Sequence, residues 1–267
     1  MRILALLTNP LTASSVLAAT SCLAARSGAV EIDILYPRPN TDPDFMPTED
    51  AFTEVQSQSF EASHDLLMKQ LGQETDNWAG AGLPGLRQMR GKPGAVAKDA
   101  ATNADLVVLG APHEDVEANT ILDTLLFQAN KPVLLVPPTM PRSFGQHIAI
   151  AWEVECTALQ RAIDSLNGLF LGAKRITILL GDQGSVSALP PEALLRWLRE
   201  PGRPAEIHHF PLDGRHIGEA LLSGARQAKA DLLVMGAFSH GWLREFIFGG
   251  ATIEILRDFD LPVLMHH

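Results

Sequence analysis

The chain has 267 residues, of which 46% are hydrophobic and 19% charged, so it is long enough to bury two cores of ordinary size. Its 21 Lys and Arg against 31 Asp and Glu give a formal net charge of −10. A negative chain without a basic patch repels phosphate backbones and anionic lipid, so we expect neither a nucleic acid nor a membrane as partner. The first residues lack a secretory signal and no apolar run could cross a bilayer, which predicts a cytoplasmic location.

The first half of the chain alternates strand-like and helix-like patterns. Its four short runs rich in Val, Ile and Leu are RILALLTN at 2–9, IDILYP at 32–37, ADLVVLGAP at 104–112 and KPVLLVPP at 131–138. Continuous apolar runs of this length are typical of strands that are buried on both faces of a parallel sheet. The prolines and acidic residues at 37–50 predict a loop after the second strand.

The same order of patterns returns in the second half. The matching runs are HIAIAWEV at 147–154, ITILLG at 176–181, ADLLVMGAF at 230–238 and LPVLMHH at 261–267. Apolar residues at helical spacing in 157–170 indicate a helix between strands. The repeat predicts two tandem α/β domains, each a doubly wound parallel sheet flanked by helices. A linker-like stretch at 140–146 places the domains at 1–141 and 142–267.

The segment ADLLVMGAFSHGWLREFIFGGATIEILRDFDLPVLMHH, at 230–267, resembles the universal stress protein family, whose signature is Gly-x2-Gly-x9-Gly-Ser/Thr after the fourth strand. The resemblance implies five strands in each domain and a stress-response or regulatory function that involves ATP or a related adenine nucleotide. It also implies dimerisation through the last strands. In a tandem chain the two halves can form that pair internally, with 132–136 meeting 262–266. A homodimer of whole chains stays open.

The candidate binding site is the loop that follows the fourth strand of the second domain. Ser239 stands where the family has its second glycine, and Gly250 stands at the hydroxyl position, with the hydroxyl displaced to Thr252. Backbone N–H groups of such a loop can bind a phosphate at a helix N-terminus. The predicted nucleotide-binding residues are Glu153, Met235, Gly236, Ser239, Gly241, Gly249, Gly250 and Thr252, of which Glu153 follows from the resemblance. The alternative interpretation is that the glycines only turn the chain.

The corresponding segment of the first domain is four residues shorter and is acidic. Its sequence, APHEDVEANTILDTLL, has no glycine and carries Glu114, Asp115 and Glu117 where an anion would lie. Because like charges repel, this segment opposes a phosphate. We therefore predict a degenerate first domain without a glycine phosphate loop.

Two functions are compatible with these patterns. One is a stress-response or regulatory protein that binds ATP or a related adenine nucleotide in the second domain. The other is a nucleotide-free interaction or scaffold protein that binds an unidentified protein through the insertion between 29 and 104. No residue is evidently placed to activate water and no histidine has partners at metal-ligand spacing, so we predict a non-enzyme without a metal. Slow ATP hydrolysis stays open.

Overall fold

The computed structural model describes residues 1–27, 31–40, 54–78, 80, 82–112, 115–140, 144–152, 161–164, 167–182, 195, 205–211, 217–236 and 260–267. The strands in these ranges are β1 (Arg2–Leu6), β2 (Glu31–Pro39), β3 (Arg87–Gly91), β4 (Leu106–Gly110), β5 (Val133–Val136), β6 (His147–Ala151), β7 (Arg175–Asp182), β8 (Ala205–Pro211), β9 (Leu232–Gly236) and β10 (Val263–His266). They form one sheet.

The helices flank this sheet. They are α1 (Pro10–Ser27), α2 (Glu54–Asn77), α3 (Pro93–Ala101), α4 (Val116–Asp123), α5 (Asn167–Leu171) and α6 (Ile217–Gln227). A π-helical turn, Thr124–Gln128, continues α4. None of the helices in the described part of the chain is long and apolar enough to cross a membrane.

The strand order of the sheet is β3-β2-β1-β4-β5-β10-β9-β6-β7-β8. The five strands of the first half and the five of the second therefore have the same order, and within each half the neighbours are parallel. This confirms the predicted fold class. The two halves meet at β5 and β10, which are antiparallel, with Leu134 opposite Leu264. The pairing between the last strands of the halves is the one that the family resemblance predicted.

The apolar runs become strands because both of their faces are covered. All five residues of β4 and all five of β9 are buried. The side chains on the two faces of the sheet form two cores, and each core contains residues of both halves. Leu134 and Leu264 belong to one core, and Leu135 and Val263 belong to the other. The junction between the halves is thus as apolar as the interior of each half.

An aspartate has the same structural role at the amino edge of each half. The carboxylate of Asp105 accepts the backbone N–H of Arg2 at 2.7 Å. The carboxylate of Asp231 accepts the N–H groups of Gln146 and His147, both at 3.0 Å. The Ala-Asp pairs that revealed the sequence repeat therefore fix the start of β1 and of β6.

The two halves also contact each other beside the sheet. The Arg26 guanidinium at the end of α1 donates to the carbonyls of Phe144, at 2.7 Å, and Gly145, at 3.2 Å. These carbonyls belong to the segment that leads into β6. The predicted boundary between 141 and 142 lies just before it, outside the described residues, and stays a prediction.

Candidate functional site

The topology of each half indicates where a ligand would bind. In open α/β sheets, ligands occupy the carboxyl ends of the strands at the point where the strand order reverses. That point lies between β1 and β4 in the first half and between β6 and β9 in the second. The two corresponding edges of the sheet can therefore be compared directly.

In the first half, the chain packs tightly where β1 and β4 end. The side-chain oxygen of Asn9 accepts the N–H of Leu11 at 2.9 Å, and this hydrogen bond fixes the first turn of α1. The next residue, Thr12, is buried and lies directly against Gly110 at the end of β4. A Cβ at Gly110 would overlap the Thr12 hydroxyl, so only glycine permits this approach.

The N-terminus of α4 is occupied by a carboxylate of the chain itself. Asp115 Oδ1 accepts the N–H of Glu117 at 2.9 Å and the N–H of Ala118 at 3.0 Å. Free N–H groups at the start of a helix are the donors that bind a phosphate. Because Asp115 already uses two of them, it replaces the anion that this position would otherwise attract.

The electrostatic environment at this edge is also unfavourable for a phosphate. The pKa of Glu117 is raised, first because its carboxyl is partly surrounded by protein and second because Asp115 is close, although the residue as a whole remains exposed. The pKa of Tyr36 is raised by burial and then by the charge of Glu117. In each case the second cause is a neighbouring carboxylate, and such a charge is unfavourable for an anion.

A buried arginine at the end of β2 forms ion pairs with α2. Arg38 is only 1% exposed and forms ion pairs with Glu61 and with Asp65, the latter at 2.6 Å. Its Nε is buried without a hydrogen-bond partner among the described groups. Next to it, the Tyr36 hydroxyl is hydrogen bonded to His64 Nδ1. This cluster was not predicted from the sequence, although an arginine directly after the apolar run IDILYP is a signal that could have indicated it.

In the second half, the structure places two of the predicted binding residues at the corresponding edge. Met235 and Gly236 end β9, and both are buried. In the sheet register, Met235 lies opposite Met265 and Gly236 lies opposite His266. The other predicted residues lie outside the described part of the chain, namely Glu153, Ser239, Gly241, Gly249, Gly250 and Thr252.

The strand beside β9 contributes a histidine to this edge. His266 is buried, and its Nδ1 lies 2.6 Å from the carbonyl oxygen of His267. Burial lowers the pKa of His266 below its ordinary value, so the imidazole is mainly neutral at pH 7. Among the described residues, no three His, Cys, Asp or Glu side chains are grouped so that they could hold a metal ion.

Comparisons with known proteins agree with this architecture. The model of the universal stress protein family matches residues 191–267. The structure is similar to the crystal structure of a universal stress protein from Archaeoglobus fulgidus DSM 4304, with a TM-score of 0.68, 14% identity and coverage of 98% of this chain and 95% of that chain. It is also similar to the cytoplasmic domain of a prokaryotic cation chloride cotransporter, with a TM-score of 0.50, 11% identity and coverage of 99% and 94%. A search of curated proteins gives no match.

The protein is thus a doubly wound α/β protein whose two halves repeat the same strand order. Residues 191–267 match the universal stress protein family, and the chain as a whole has the fold of the universal stress protein from Archaeoglobus fulgidus.

Proposed function

We propose that this chain is a cytoplasmic stress-response or regulatory protein whose second half binds one adenine nucleotide, such as ATP. The observation that supports this proposal most strongly is the contrast between the two halves. In the first half, Asp115 caps the helix that follows β4 and occupies the donors that a phosphate would need. In the second half, β9 ends at Met235 and Gly236, and the sequence that follows contains three further glycines. One chain would therefore bind one nucleotide.

The sequence after β9 carries the groups that a nucleotide needs. Gly241, Gly249 and Gly250 would allow backbone N–H groups to approach the phosphates closely. Ser239 and Thr252 would add hydroxyl donors to the phosphate oxygens. The bound nucleotide would add negative charge to this edge of the sheet and would thereby change the binding of a partner protein there.

The proposed activity is binding and not chemistry. No motif in the sequence at 237–259 indicates the activation of water. Occupancy by the nucleotide would then be the signal. We propose regulation by binding, with a non-enzymatic role for the chain.

Calorimetric titration of Mg-ATP into the full chain tests the proposal. Wild-type protein is expected to bind near one nucleotide per chain, and Gly249→Glu is expected to abolish binding because it adds a carboxylate where a phosphate would lie. Gly85→Glu is the matched control, because Gly85 is exposed in the first half and has open space where a Cβ would be. Heat no different from dilution for the wild type would contradict the proposal.

A second candidate function is a nucleotide-free interaction or scaffold protein that uses the insertion of the first half. The observation that favours it is the surface of α2, where Val55 is 75% exposed and Leu66 is 58% exposed. Large exposed apolar side chains are frequent at protein–protein interfaces. This function predicts that an interacting protein is lost with Val55→Ser plus Leu66→Ser and is kept with Leu171→Ser, which removes an apolar side chain that is 56% exposed in the second half.

A further inference from the structure

A chain of hydrogen bonds crosses three strands at the amino edge of the second half, opposite the edge proposed for the nucleotide. His147 Nε2 of β6 lies 2.8 Å from Thr177 Oγ1 of β7. Thr177 Oγ1 in turn lies 3.3 Å from Glu206 Oε1 of β8. The other ring nitrogen of His147, Nδ1, lies 3.2 Å from the carbonyl oxygen of Lys229. Thr177 is completely buried, so water cannot easily replace its partners.

The protonation state of His147 determines which groups donate and which accept in this series of hydrogen bonds. The Lys229 carbonyl can only accept, so Nδ1 of His147 must carry a hydrogen. In the neutral imidazole, Nε2 is then an acceptor, and it takes the single hydroxyl hydrogen of Thr177. The Glu206 carboxylate is also only an acceptor, so it cannot receive the same hydrogen. In this state the Thr177 hydroxyl donates its hydrogen bond to His147 and not to Glu206.

Uptake of one proton reverses this direction. In the imidazolium, Nε2–H donates to Thr177 Oγ1, which frees the hydroxyl hydrogen to point at the Glu206 carboxylate. We propose that His147, Thr177 and Glu206 form a switch that is operated by one proton. When His147 is protonated, the Thr177 hydroxyl rotates, so that it donates its hydrogen bond to Glu206 instead of to His147. In the neutral state Glu206 keeps its ion pair with Arg175, so each of the three side chains has a partner in both states.

The surroundings hold the imidazole in place while it titrates. Lys229 has a positive φ of 59°, which fixes its carbonyl in the position that faces His147. Asp231 accepts the His147 backbone N–H from the start of β9. The imidazole of His147 is therefore held by the Lys229 carbonyl at one ring nitrogen and by the contact of its own backbone with Asp231.

The charged groups that act on the ring come from three elements. They are Arg175 of β7, Glu206 of β8 and Asp231. Arg175 and Glu206 also form an ion pair with each other. The pKa of His147 is lowered from 6.5, first by burial and then by Arg175, so proton uptake belongs to the weakly acidic range below pH 6.5. This role is independent of nucleotide binding.

Nuclear magnetic resonance of the imidazole nitrogens in the full chain tests the switch. Neutral His147 is expected to be the Nδ1–H tautomer and to titrate below 6.5, the ordinary pKa of histidine. Thr177→Val is expected to weaken the proton affinity of His147 about tenfold, because the imidazolium loses a charge-assisted hydrogen bond. Thr177→Ser keeps the hydroxyl and is expected to titrate like the wild type.

Glu206→Gln keeps an acceptor oxygen at this position and removes the negative charge. The side chain of Glu206 is 48% exposed, so this variant is expected to fold. It should also weaken proton binding at His147. An Nε2–H tautomer in the neutral wild type would overturn the proposal. A Thr177→Val midpoint equal to that of the wild type would also overturn it, because it would mean that Glu206 acts only through space.

Discussion

At the scale of single residues, one carboxylate has two consequences for the first half. Asp115 caps the N-terminus of α4, where its Oδ1 accepts two backbone N–H groups. The same hydrogen bonds use donors that could otherwise bind a phosphate. We propose that Asp115 contributes to closing this edge, together with a segment that is shorter and has no glycine.

Asp115→Ala is expected to destabilise the protein by about 1 kcal/mol, which is the usual cost of losing a helix cap. The measurement is urea unfolding followed by circular dichroism. Asp99→Ala is the control, because it removes an exposed carboxylate from α3 without removing a cap. If both variants unfold at the same urea concentration, Asp115 does not stabilise α4.

The raised pKa of Glu117 predicts a specific pH dependence. The folded protein holds a proton on Glu117 more tightly than the unfolded chain does, so this residue lowers stability as pH rises above 4.5. Glu117→Gln is expected to remove that part of the loss. Unfolding free energies measured at about pH 4 and about pH 7 should differ less for the variant than for the wild type. A larger loss in the variant would contradict the assignment.

At the scale of elements, the sequence predicted the strands better than it predicted the docking of helices. The strands are continuous apolar runs, and burial on both faces determines their structure almost locally. The position of α2 depends on Arg38 meeting Glu61 and Asp65, which are far away in sequence. The hydrogen bonds from His147 to Thr177 and from Thr177 to Glu206 likewise join three strands that are distant in sequence. Sequence periodicity carries no information about such contacts.

The glycines after β9 stay a prediction, because they lie outside the described residues. They could be named from the sequence because the backbone, and not a side chain, would bind the phosphate, so the spacing of glycines is the visible signal. Asp115 was recognised as a charge that opposes an anion. Its role as a helix cap was missed, although an aspartate directly before a helical pattern is a capping signal.

Arg38→Met is expected to loosen α2 from the sheet. Arg38 is buried, and its loss removes the ion pairs with Asp65 and with Glu61, which keeps Arg90 as a partner. The expected cost is about 2 kcal/mol, less than that of a fully buried pair because Asp65 is 70% exposed. Hydrogen exchange should show reduced protection in 61–77. Arg87→Met breaks the exposed pair with Asp33 and should change exchange little. Equal effects of the two variants would contradict the role of Arg38.

At the scale of the whole molecule, the junction of β5 and β10 makes the two halves one sheet. The edges that the family resemblance assigns to dimerisation are used inside the chain. Association of whole chains would therefore need another surface. Because both cores contain residues of both halves, we expect the halves to unfold together.

Leu264→Ala tests this coupling. Leu264 is completely buried opposite Leu134, and truncating such a leucine costs about 2–5 kcal/mol. Hydrogen exchange in urea is expected to show lower stability in β1 and in β7 to the same extent. Leu171→Ala, at a side chain that is 56% exposed, should leave both strands unchanged. Loss of protection in β7 alone would show that the halves are independent.

We propose that one half of a repeated fold has kept an anion-binding edge and that the other half has closed it. Native mass spectrometry of the full chain with Mg-ATP counts the bound nucleotides directly. We predict a single ATP adduct that disappears in Gly249→Glu and persists in Gly85→Glu and Asp115→Ala. Two adducts, or one that survives Gly249→Glu, would contradict the claim, because the nucleotide would then bind outside the second half's glycine loop.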